Sequence, residues 1–291
     1  MDSVTESPEL VLGCDLGDVR ILGAGQVSVI EINRPHRLNA FTSDTVDHLI
    51  TAFRQVRADR DTGAIVLTGA GPKAFCAGGD QKHRAEAGDY GKGTSGALAT
   101  EELYRVIREC PKPVIAAVNG YALGGGHVMH LVCDVTVASS SAVFAQPGPQ
   151  VGSFDAGYGS AFLARVVGEK RARQMLLLGE RVDAATALEW GLVNAVVETD
   201  LVLPTALAWG ERCCAFSPTA LAVLKHSLNA DTEHIAGLGR VCFDTLTLFG
   251  HTDEAREGYT AFTDKRQADF SAFRTGTDAA FPKAERADHE L

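Results

Sequence analysis

The sequence has little positive charge and no long apolar run. Its 291 residues include 27 lysines and arginines against 37 aspartates and glutamates, a formal net charge of −10. A nucleic-acid-binding protein usually presents a basic surface, so this composition argues against that class. No apolar stretch approaches the ~20 residues that a membrane-spanning helix needs. The acidic start MDSVTESPEL lacks the basic and apolar regions of a signal peptide. We therefore expect a soluble, cytoplasmic protein that binds neither nucleic acid nor membrane.

Several signatures of cofactor and nucleophile chemistry are also missing. The seven cysteines are odd in number and show no C-x-x-C spacing, so we expect reduced thiols rather than a disulfide framework or a zinc site. The histidines show no pairing with acids at metal-ligand spacing. The phosphate loop, the dinucleotide fingerprint and the G-x-S-x-G elbow are absent. The sequence predicts no metal and no tightly bound cofactor.

Strand and helix patterns alternate along the first two hundred residues. Segment 26–35 is apolar on both faces, which predicts a buried strand. Residues 42–57 carry an apolar stripe at helical spacing, with Ser43 or Asp44 as the expected cap. The first ~15 residues are expected to be a frayed tail. Polar, glycine-rich Gln81–Ala99 is expected to be a mobile loop.

After about Asp200 the patterns are helical. Ser217 is expected to cap a helix that starts at Pro218. Its buried face is predicted to be Val223, Leu224 and Leu228. The fold class is therefore α/β with a C-terminal α-helical part, divided as a core over 1–200 and a helical region over 201–291.

Two glycine turns each follow a predicted strand. They are AFCAGGDQK, residues 74–82, and NGYALGGGHV, residues 119–128. Glycine lets a backbone approach a ligand closely, and two such turns on neighbouring strands can direct two N–H groups at one oxygen. The second turn also opens a helix, whose N-terminus favours negative charge. The turns are read either as an oxyanion hole or as ordinary loop glycines.

Several ordered motifs make the chain resemble the crotonase (enoyl-CoA hydratase/isomerase) superfamily. They are INRPHRLNAF, AFCAGGD, KPVIAAVNGYALGGG, CDVTVASSSAVFAQP, ALEWGLVNAVV and EGYTAFTDKR, spread from about Val27 to Phe273. The resemblance implies a crotonase-like spiral of strand–strand–helix units and a C-terminal helical region that forms homotrimers or homohexamers. It also implies an acyl-CoA substrate, with coenzyme A bound only as part of that substrate.

The resemblance assigns roles to residues of both turns. It places the thioester oxygen between the backbone amides of Gly79 and Gly125. Lys265 matches a lysine that meets the phosphates of coenzyme A, often across a subunit boundary, and is otherwise a surface lysine. The residues expected to run beside coenzyme A are Ala77, Gly78, Asp80, Gln81 and Lys82.

The acids of the hydratases in this superfamily are missing. Hydration of a conjugated double bond needs a base to activate water and an acid to protonate carbon. The resemblance places the two hydratase glutamates at Val128 and Gly148, whose side chains transfer no protons. This argues against simple enoyl-CoA hydratase activity.

Within the superfamily, the chain is most similar to two branches that make or break a C–C bond beside a thioester. CAGGDQKHR, GGGHVMHLVCD and GPQVGSFDAGYG resemble dihydroxynaphthoyl-CoA synthases. GKGTSGALATEELYRVIRECPKP, GSAFLARVVGEKRAR and SPTALAVLKHSLNADT resemble 2-ketocyclohexanecarboxyl-CoA hydrolases. Both branches keep a serine and an aspartate, here Ser153 and Asp155. Asp155 is then the expected general base or acid, and Ser153 would orient it or the substrate. The alternative is that Asp155 caps the helix that follows.

Three positions depart from the synthase pattern. Pro147 replaces the threonine that helps those enzymes hold bicarbonate, Leu176 replaces a tryptophan that encloses it, and Gly250 replaces a catalytic tyrosine. His251 or Tyr90 is expected to compensate, unless both are solvent-exposed. His127 follows the oxyanion glycines and is expected to pack or to bond locally.

Three functions remain open. The first is a C–C bond enzyme, with ring opening or β-ketoacyl-CoA hydrolysis preferred over naphthoate synthesis because the three synthase side chains are missing. The second is an isomerase or atypical hydratase that uses Asp155 alone. The third is a non-catalytic acyl-CoA binder.

Overall fold

The computed structural model of the protein describes residues 9–94, 96 and 98–275. Eleven β-strands lie within them. The strands are β1 (Val11–Asp15), β2 (Val19–Ala24), β3 (Val27–Ile32), β4 (Ala64–Gly69), β5 (Ala74–Cys76), β6 (Val114–Val118), β7 (Tyr121–Leu123), β8 (Val135–Ser139), β9 (Val143–Ala145), β10 (Arg181–Asp183) and β11 (Ala195–Val197).

Eleven α-helices lie within the same residues, with short 3-10 helices between some of them. The α-helices are α1 (Ser43–Ala58), α2 (Gln81–Ala87), α3 (Thr100–Glu109), α4 (Gly125–Leu131), α5 (Tyr158–Val167), α6 (Glu169–Leu178), α7 (Ala184–Glu189), α8 (Val202–Cys214), α9 (Pro218–Ala230), α10 (Glu233–Gly250) and α11 (Asp253–Thr263). None of the helices in the described part of the chain is both long and apolar enough to cross a membrane.

The strands form two sheets. The larger has the order β1-β2-β3-β4-β6-β8-β11, and the smaller has the order β10-β9-β7-β5. Strands β3, β4, β6, β8 and β11 pair in parallel, as do β5, β7 and β9. Parallel neighbours require a crossover connection, and helices supply it here.

Successive strands alternate between the two sheets. β4, β6 and β8 lie side by side in the larger sheet, while β5, β7 and β9 lie side by side in the smaller. Helices follow each pair: α2 and α3 after β5, α4 after β7 and α5 after β9. This is the predicted spiral of strand–strand–helix units, so the predicted α/β fold is confirmed.

The apolar pattern on both faces of the central strands has a direct cause. Val29 and Val66 pack with Leu207 of α8 on one side of the larger sheet. Ile30 belongs to the other apolar cluster, with Phe53 of α1. The larger sheet is therefore covered on both faces, as a mainly parallel sheet should be.

Two expectations near the N-terminus are corrected. Residues 11–15 are not frayed, because β1 pairs antiparallel with β2. Helix α1 is capped by Thr42 rather than by Ser43 or Asp44. The side chain of Thr42 accepts a hydrogen bond from the backbone of Thr45, and the Thr45 hydroxyl accepts one from the Thr42 amide. This reciprocal pair satisfies two amides that the helix leaves free.

The segment expected to be a mobile loop begins as helix α2. Asp80 caps this helix by accepting a hydrogen bond from the His83 amide. Further along, the Tyr90 carbonyl accepts a hydrogen bond from the Ser43 amide at 2.7 Å. The Thr94 amide donates to an Asp47 carboxylate oxygen at 2.5 Å. The segment is thus tied to the start of α1, a contact that its polar composition does not predict.

The expected buried face of α9 is wrong, although Ser217 and Pro218 do open the helix. Leu224 and Leu228 are 60% and 78% exposed, and the buried residue is Lys225. The Lys225 ammonium pairs with Asp134 at 2.7 Å. It also donates to the carbonyl of Lys112 at 3.1 Å. The ion pair and carbonyl bond compensate for burying the lysine, so the polar side chain turns inward.

The helices α8 to α11 follow residue 201, where the helical region was predicted to begin. The division into 1–200 and 201–291 stays a prediction, as do its trimer or hexamer and its cytoplasmic location. Residues 276–291 of that region lie outside the described part of the chain.

Candidate active site

The two glycine turns meet because their strands are neighbours. β5 and β7 pair in parallel, so their carboxyl ends reach the same edge of the smaller sheet. Gly78 has a φ of +84°, and a Cβ placed on it would lie 2.8 Å from the Leu123 carbonyl oxygen. A Cβ on Gly126 would lie 2.1 Å from the Cys76 carbonyl oxygen. Only glycine permits this approach.

The backbone amides of Gly79 and Gly125 are available to a ligand. Gly79 lies opposite Phe41 in an isolated parallel β-bridge, whose hydrogen bonds are made by the neighbours of Gly79. The Gly78 carbonyl accepts from the Phe41 amide, and the Asp80 amide donates to the Phe41 carbonyl. Gly125 is the first residue of α4, where an amide has no partner within the helix. Within the described residues, neither amide donates a hydrogen bond to the protein. Two free N–H groups on one cavity wall are what an oxyanion hole requires.

Both glycines line a cavity of about 670 Å³. Tyr104 of α3 also lines it, and its hydroxyl donates to the Gly125 carbonyl at 3.2 Å, which fixes the second turn. Burial raises the pKa of Tyr104 well above its ordinary value. Arg181 gives the same cavity positive charge, whereas Arg266, which also lines it, is paired with Glu257. The cavity therefore combines apolar walls with a cation and amides suited to a charged ligand.

Asp155 is the one carboxylate among the described residues that line this cavity. Its Oδ2 lies 3.5 Å from the position that a Cβ on Gly124 would occupy, beside the second turn. Burial raises its pKa from 3.8 to about 6. The helix-capping alternative is wrong, because the N-cap of α5 is Gly157 and no side chain bonds to that end.

The raised pKa of Asp155 predicts a pH-dependent change in stability. The folded protein binds this proton more tightly than the unfolded chain does, so the contribution to stability is full below the ordinary pKa of 3.8 and is lost as pH rises through about 6. The difference in free energy of unfolding between Asp155→Asn and wild type should therefore depend on pH. It should favour the variant by up to about 3 kcal/mol more above about pH 7 than below about pH 4. Urea unfolding at both pH values measures this. An identical difference at both would contradict it.

The two positions at which the resemblance implies hydratase glutamates are Val128 and Gly148, and neither side chain is an acid. Val128 is fully buried in α4. A Cβ on Gly148 would lie 2.9 Å from the Ser153 carbonyl oxygen and 3.0 Å from the Phe154 Cα. The 3-10 helix 148–151 and the chain after it occupy that space. A glutamate at Gly148 would require the backbone to move.

Tyr90 lies against the first glycine turn. A Cβ on Gly79 would lie 2.4 Å from the Tyr90 ring. The Tyr90 hydroxyl accepts a hydrogen bond from the side-chain Nε2 of Gln81 at 2.9 Å. Burial raises the pKa of this phenol, although the Arg84 charge and the Gln81 hydrogen bond oppose the shift. A neutral phenol beside Gly79 is suited to donating a hydrogen bond to an enolate oxygen.

The other predicted residues differ in where the structure places them. Ser153 lines the main cavity together with Ala77, Gly78 and Gln81. His251 is exposed and lines a smaller neighbouring cavity instead. His127 is fully buried and bonded to His130 at 3.0 Å, which confirms its local role.

Three of the predicted coenzyme A contacts are not part of the cavity wall. Asp80 is buried and pairs with Arg34 at 3.2 Å in addition to capping α2. Lys82 and Lys265 are exposed. The carboxylate of Asp80 is therefore engaged in contacts within the protein. Lys82 and Lys265 stay predictions as contacts of a longer ligand.

Two residues at the site were not found from the sequence. Tyr104 lies in α3, and nothing in its local pattern indicates a contact with Gly125, 21 residues further on. Arg84 lies in the segment expected to be a mobile loop and is buried at 3% exposure. Its burial depends on α2, which the sequence did not predict.

Comparisons with known proteins agree with this geometry. A family model described as "Enoyl-CoA hydratase/isomerase" matches residues 23–273. An enoyl-CoA hydratase structure from Mycobacterium avium subsp. paratuberculosis K-10 is 30% identical, with a TM-score of 0.77, covering 88% of this chain and 100% of that one. A carnitinyl-CoA hydratase structure from Mycobacterium avium is 31% identical, with a TM-score of 0.76, covering 88% and 98%.

A third similar structure is an enoyl-CoA hydratase/isomerase from Pseudoalteromonas atlantica T6c. It is 28% identical, with a TM-score of 0.78, and the match covers 87% of this chain and 100% of that one. The matched range, the spiral of strand–strand–helix units and the paired glycine turns together identify the family. The chain belongs to the enoyl-CoA hydratase/isomerase family of the crotonase superfamily.

Proposed function

We propose that the protein is an acyl-CoA enzyme that opens the ring of a cyclic β-ketoacyl-CoA by hydrolysis, as the 2-ketocyclohexanecarboxyl-CoA hydrolases do. The observation that carries the proposal is the single carboxylate of the cavity. Hydration of a double bond needs two proton-transfer groups. The two positions at which the resemblance implies hydratase glutamates carry Val128 and Gly148, which transfer no protons. In ring opening, one carboxylate can act first as a base and then as an acid.

The reaction begins with Asp155 as a base. Because its pKa is about 6, the carboxylate is ionised at neutral pH and can take a proton from water. The resulting hydroxide adds to the ring ketone carbon. The bond between that carbon and the α-carbon of the thioester then breaks, and its electron pair becomes the thioester enolate. The amides of Gly79 and Gly125 bind the enolate oxygen.

The second half returns the proton. Protonated Asp155 gives its proton to the α-carbon, and the carboxylic acid formed from the ketone loses its own proton to solvent. One water is consumed, one C–C bond is broken, and the product is a straight-chain acyl-CoA with a terminal carboxylate. Tyr90, beside Gly79, would donate a hydrogen bond to the enolate during the reaction.

The test is turnover of 2-ketocyclohexanecarboxyl-CoA in oxygen-18 water, followed by mass spectrometry. We expect heptanedioyl-CoA (pimeloyl-CoA) with heavy oxygen in the new carboxylate, because water attacks the ketone. Succinylbenzoyl-CoA is the comparison substrate. Its efficient conversion to dihydroxynaphthoyl-CoA, with no ring opening, would favour the synthase alternative and contradict the proposal.

A second candidate is an isomerase or atypical hydratase that uses Asp155 alone. The similar structures are named hydratases or hydratase/isomerases, and one carboxylate suffices to move a proton between two carbons of an enoyl-CoA. Incubation with enoyl-CoAs of several chain lengths in heavy water separates the two. Deuterium incorporation with a shifted double bond favours the isomerase, while unchanged enoyl-CoAs together with ring opening of 2-ketocyclohexanecarboxyl-CoA favour hydrolysis.

A further inference from the structure

A smaller cavity, which we call the Arg84 cavity, adjoins the main one. Its volume is about 240 Å³, and Arg84 lines it from α2. The two cavities are adjacent, because both have the following lining residues: Tyr90, Leu98, Ser153, Phe243 and Leu246. An acyl group bound at Asp155 can therefore extend past Ser153 towards Arg84.

Arg84 is buried without a counter-charge. It forms none of the ion pairs found within residues 9–94, 96 and 98–275. Its Nη2 donates to the Gly152 carbonyl at 3.2 Å, and its Nη1 is buried with no hydrogen-bond partner. The guanidinium lies 4.6 Å from the centre of the Tyr259 ring and 5.4 Å from that of Tyr90.

Such a cation is costly for the protein alone. Aromatic faces offset part of the lost hydration, but a buried guanidinium is normally paired with a carboxylate or phosphate. Asp89, which also lines the Arg84 cavity, is exposed and bonds to the Gly91 amide instead. A bound anion would supply the counter-charge that the described part of the chain does not provide.

Space for that anion lies beside the guanidinium. Residue 250 lines the Arg84 cavity and is glycine, and a Cβ placed on Gly250 would still lie 4.0 Å from Nη2 of Arg84. The resemblance to the synthases implies a tyrosine at this position. In this chain the missing side chain leaves the guanidinium open to a ligand.

We propose that the Arg84 cavity binds the terminal carboxylate of an ω-carboxyacyl-CoA, with Arg84 as its counter-ion. The inference rests on the proposed function, because hydrolytic ring opening creates such a carboxylate at the end of the acyl chain away from the thioester. A guanidinium and a carboxylate form a strong charge-assisted pair, and in a buried cavity this pair distinguishes the product from an uncharged chain of equal length.

The experiment is a calorimetric binding comparison between pimeloyl-CoA and heptanoyl-CoA, which differ only in the terminal carboxylate. We expect the wild-type protein to bind pimeloyl-CoA about 10- to 100-fold more tightly, in line with a hydrogen-bonded charged pair. Arg84→Met should remove this preference, and Arg84→Lys should restore part of it. Lys170→Met, which removes an exposed cation of α6 that lines neither cavity, is the matched control and should keep the preference.

The outcomes separate this inference from the proposed function. Equal affinity of the wild-type protein for the two ligands would overturn the inference, and this measurement does not depend on the folding of any variant. A preference that survives Arg84→Met, with folding verified by circular dichroism, would overturn it as well. A clear preference for pimeloyl-CoA in a protein that opens no ring would contradict the proposed reaction but would still support a carboxylate site at Arg84.

Discussion

Asp155→Asn is expected to lower kcat for ring opening by about 10³-fold, within the range that a positioned acid–base group contributes. The asparagine side chain has nearly the same shape but neither takes nor gives a proton at neutral pH. No second carboxylate among the described residues lines the cavity to replace it. Affinity for acyl-CoA should change little, because the amides of Gly79 and Gly125 remain.

The pH profile gives a second readout of the same change. Since Asp155 acts as a base in its ionised form and has a pKa of about 6, kcat/KM of the wild-type enzyme should be level above that pH and fall about tenfold per unit below it. The acid limb should be missing from the residual activity of Asp155→Asn.

Asp200→Asn is the matched control, because Asp200 is an exposed aspartate in the 3-10 helix before α8. It should keep both rate and profile. Full activity in Asp155→Asn would show that the cavity's carboxylate is not the base. The non-catalytic acyl-CoA binder would become the better explanation if the wild-type protein bound acyl-CoA but turned over none of the tested thioesters.

Gly126→Ala is expected to destabilise the protein by about 3 kcal/mol or more, as severe overpacking and backbone displacement do. A Cβ at this position would lie 2.1 Å from the Cys76 carbonyl oxygen and 2.8 Å from the Cys76 Cβ. Cys76 ends β5 and Gly126 lies in the first turn of α4, so relief of the clash must separate the two glycine turns. Urea unfolding monitored by circular dichroism measures the change.

The chain offers a matched control in Gly237 of α10, where an added Cβ meets nothing within 4 Å. Because alanine has a higher helix propensity than glycine, Gly237→Ala should be neutral or stabilise by about 1 kcal/mol. If Gly126→Ala unfolds at the same urea concentration as wild type, the two turns are less closely packed than the structure shows.

The contrast with the hydratases lies in the backbone as well as in the missing acids. At Gly148 the chain from Ser153 to Phe154 fills the place where a larger side chain would begin. The same segment carries Asp155 into the cavity. A larger side chain at Gly148 would therefore push against the segment that carries Asp155.

Much of the fold was predictable from local patterns. The two-sided apolar character of β3 predicted a buried strand, and the structure covers it on both faces. Strand–glycine junctions predicted two turns, and the structure brings them together at one edge of the smaller sheet. These features were readable because period-2 alternation and glycine placement are properties of short segments.

The side chains of α9 and α2 show where local patterns fail. In α9 the apolar residues face outward, because Lys225 is held inward by Asp134 and by backbone carbonyls from elsewhere in the chain. In α2, Arg84 is buried only because Tyr90, Gly152 and Tyr259 surround it. Each depends on partners far away in sequence.

The sequence by itself determined the family, the spiral of strand–strand–helix units and the lack of an acid at Val128 and Gly148. Each of these follows from residue type, spacing and order. Only the tertiary structure decided that the amides of Gly79 and Gly125 are free beside Asp155, and that Arg84 is buried without a counter-ion. The physical reason is that hydrogen-bond satisfaction and burial belong to pairs of groups brought together by folding, and no single segment carries that information.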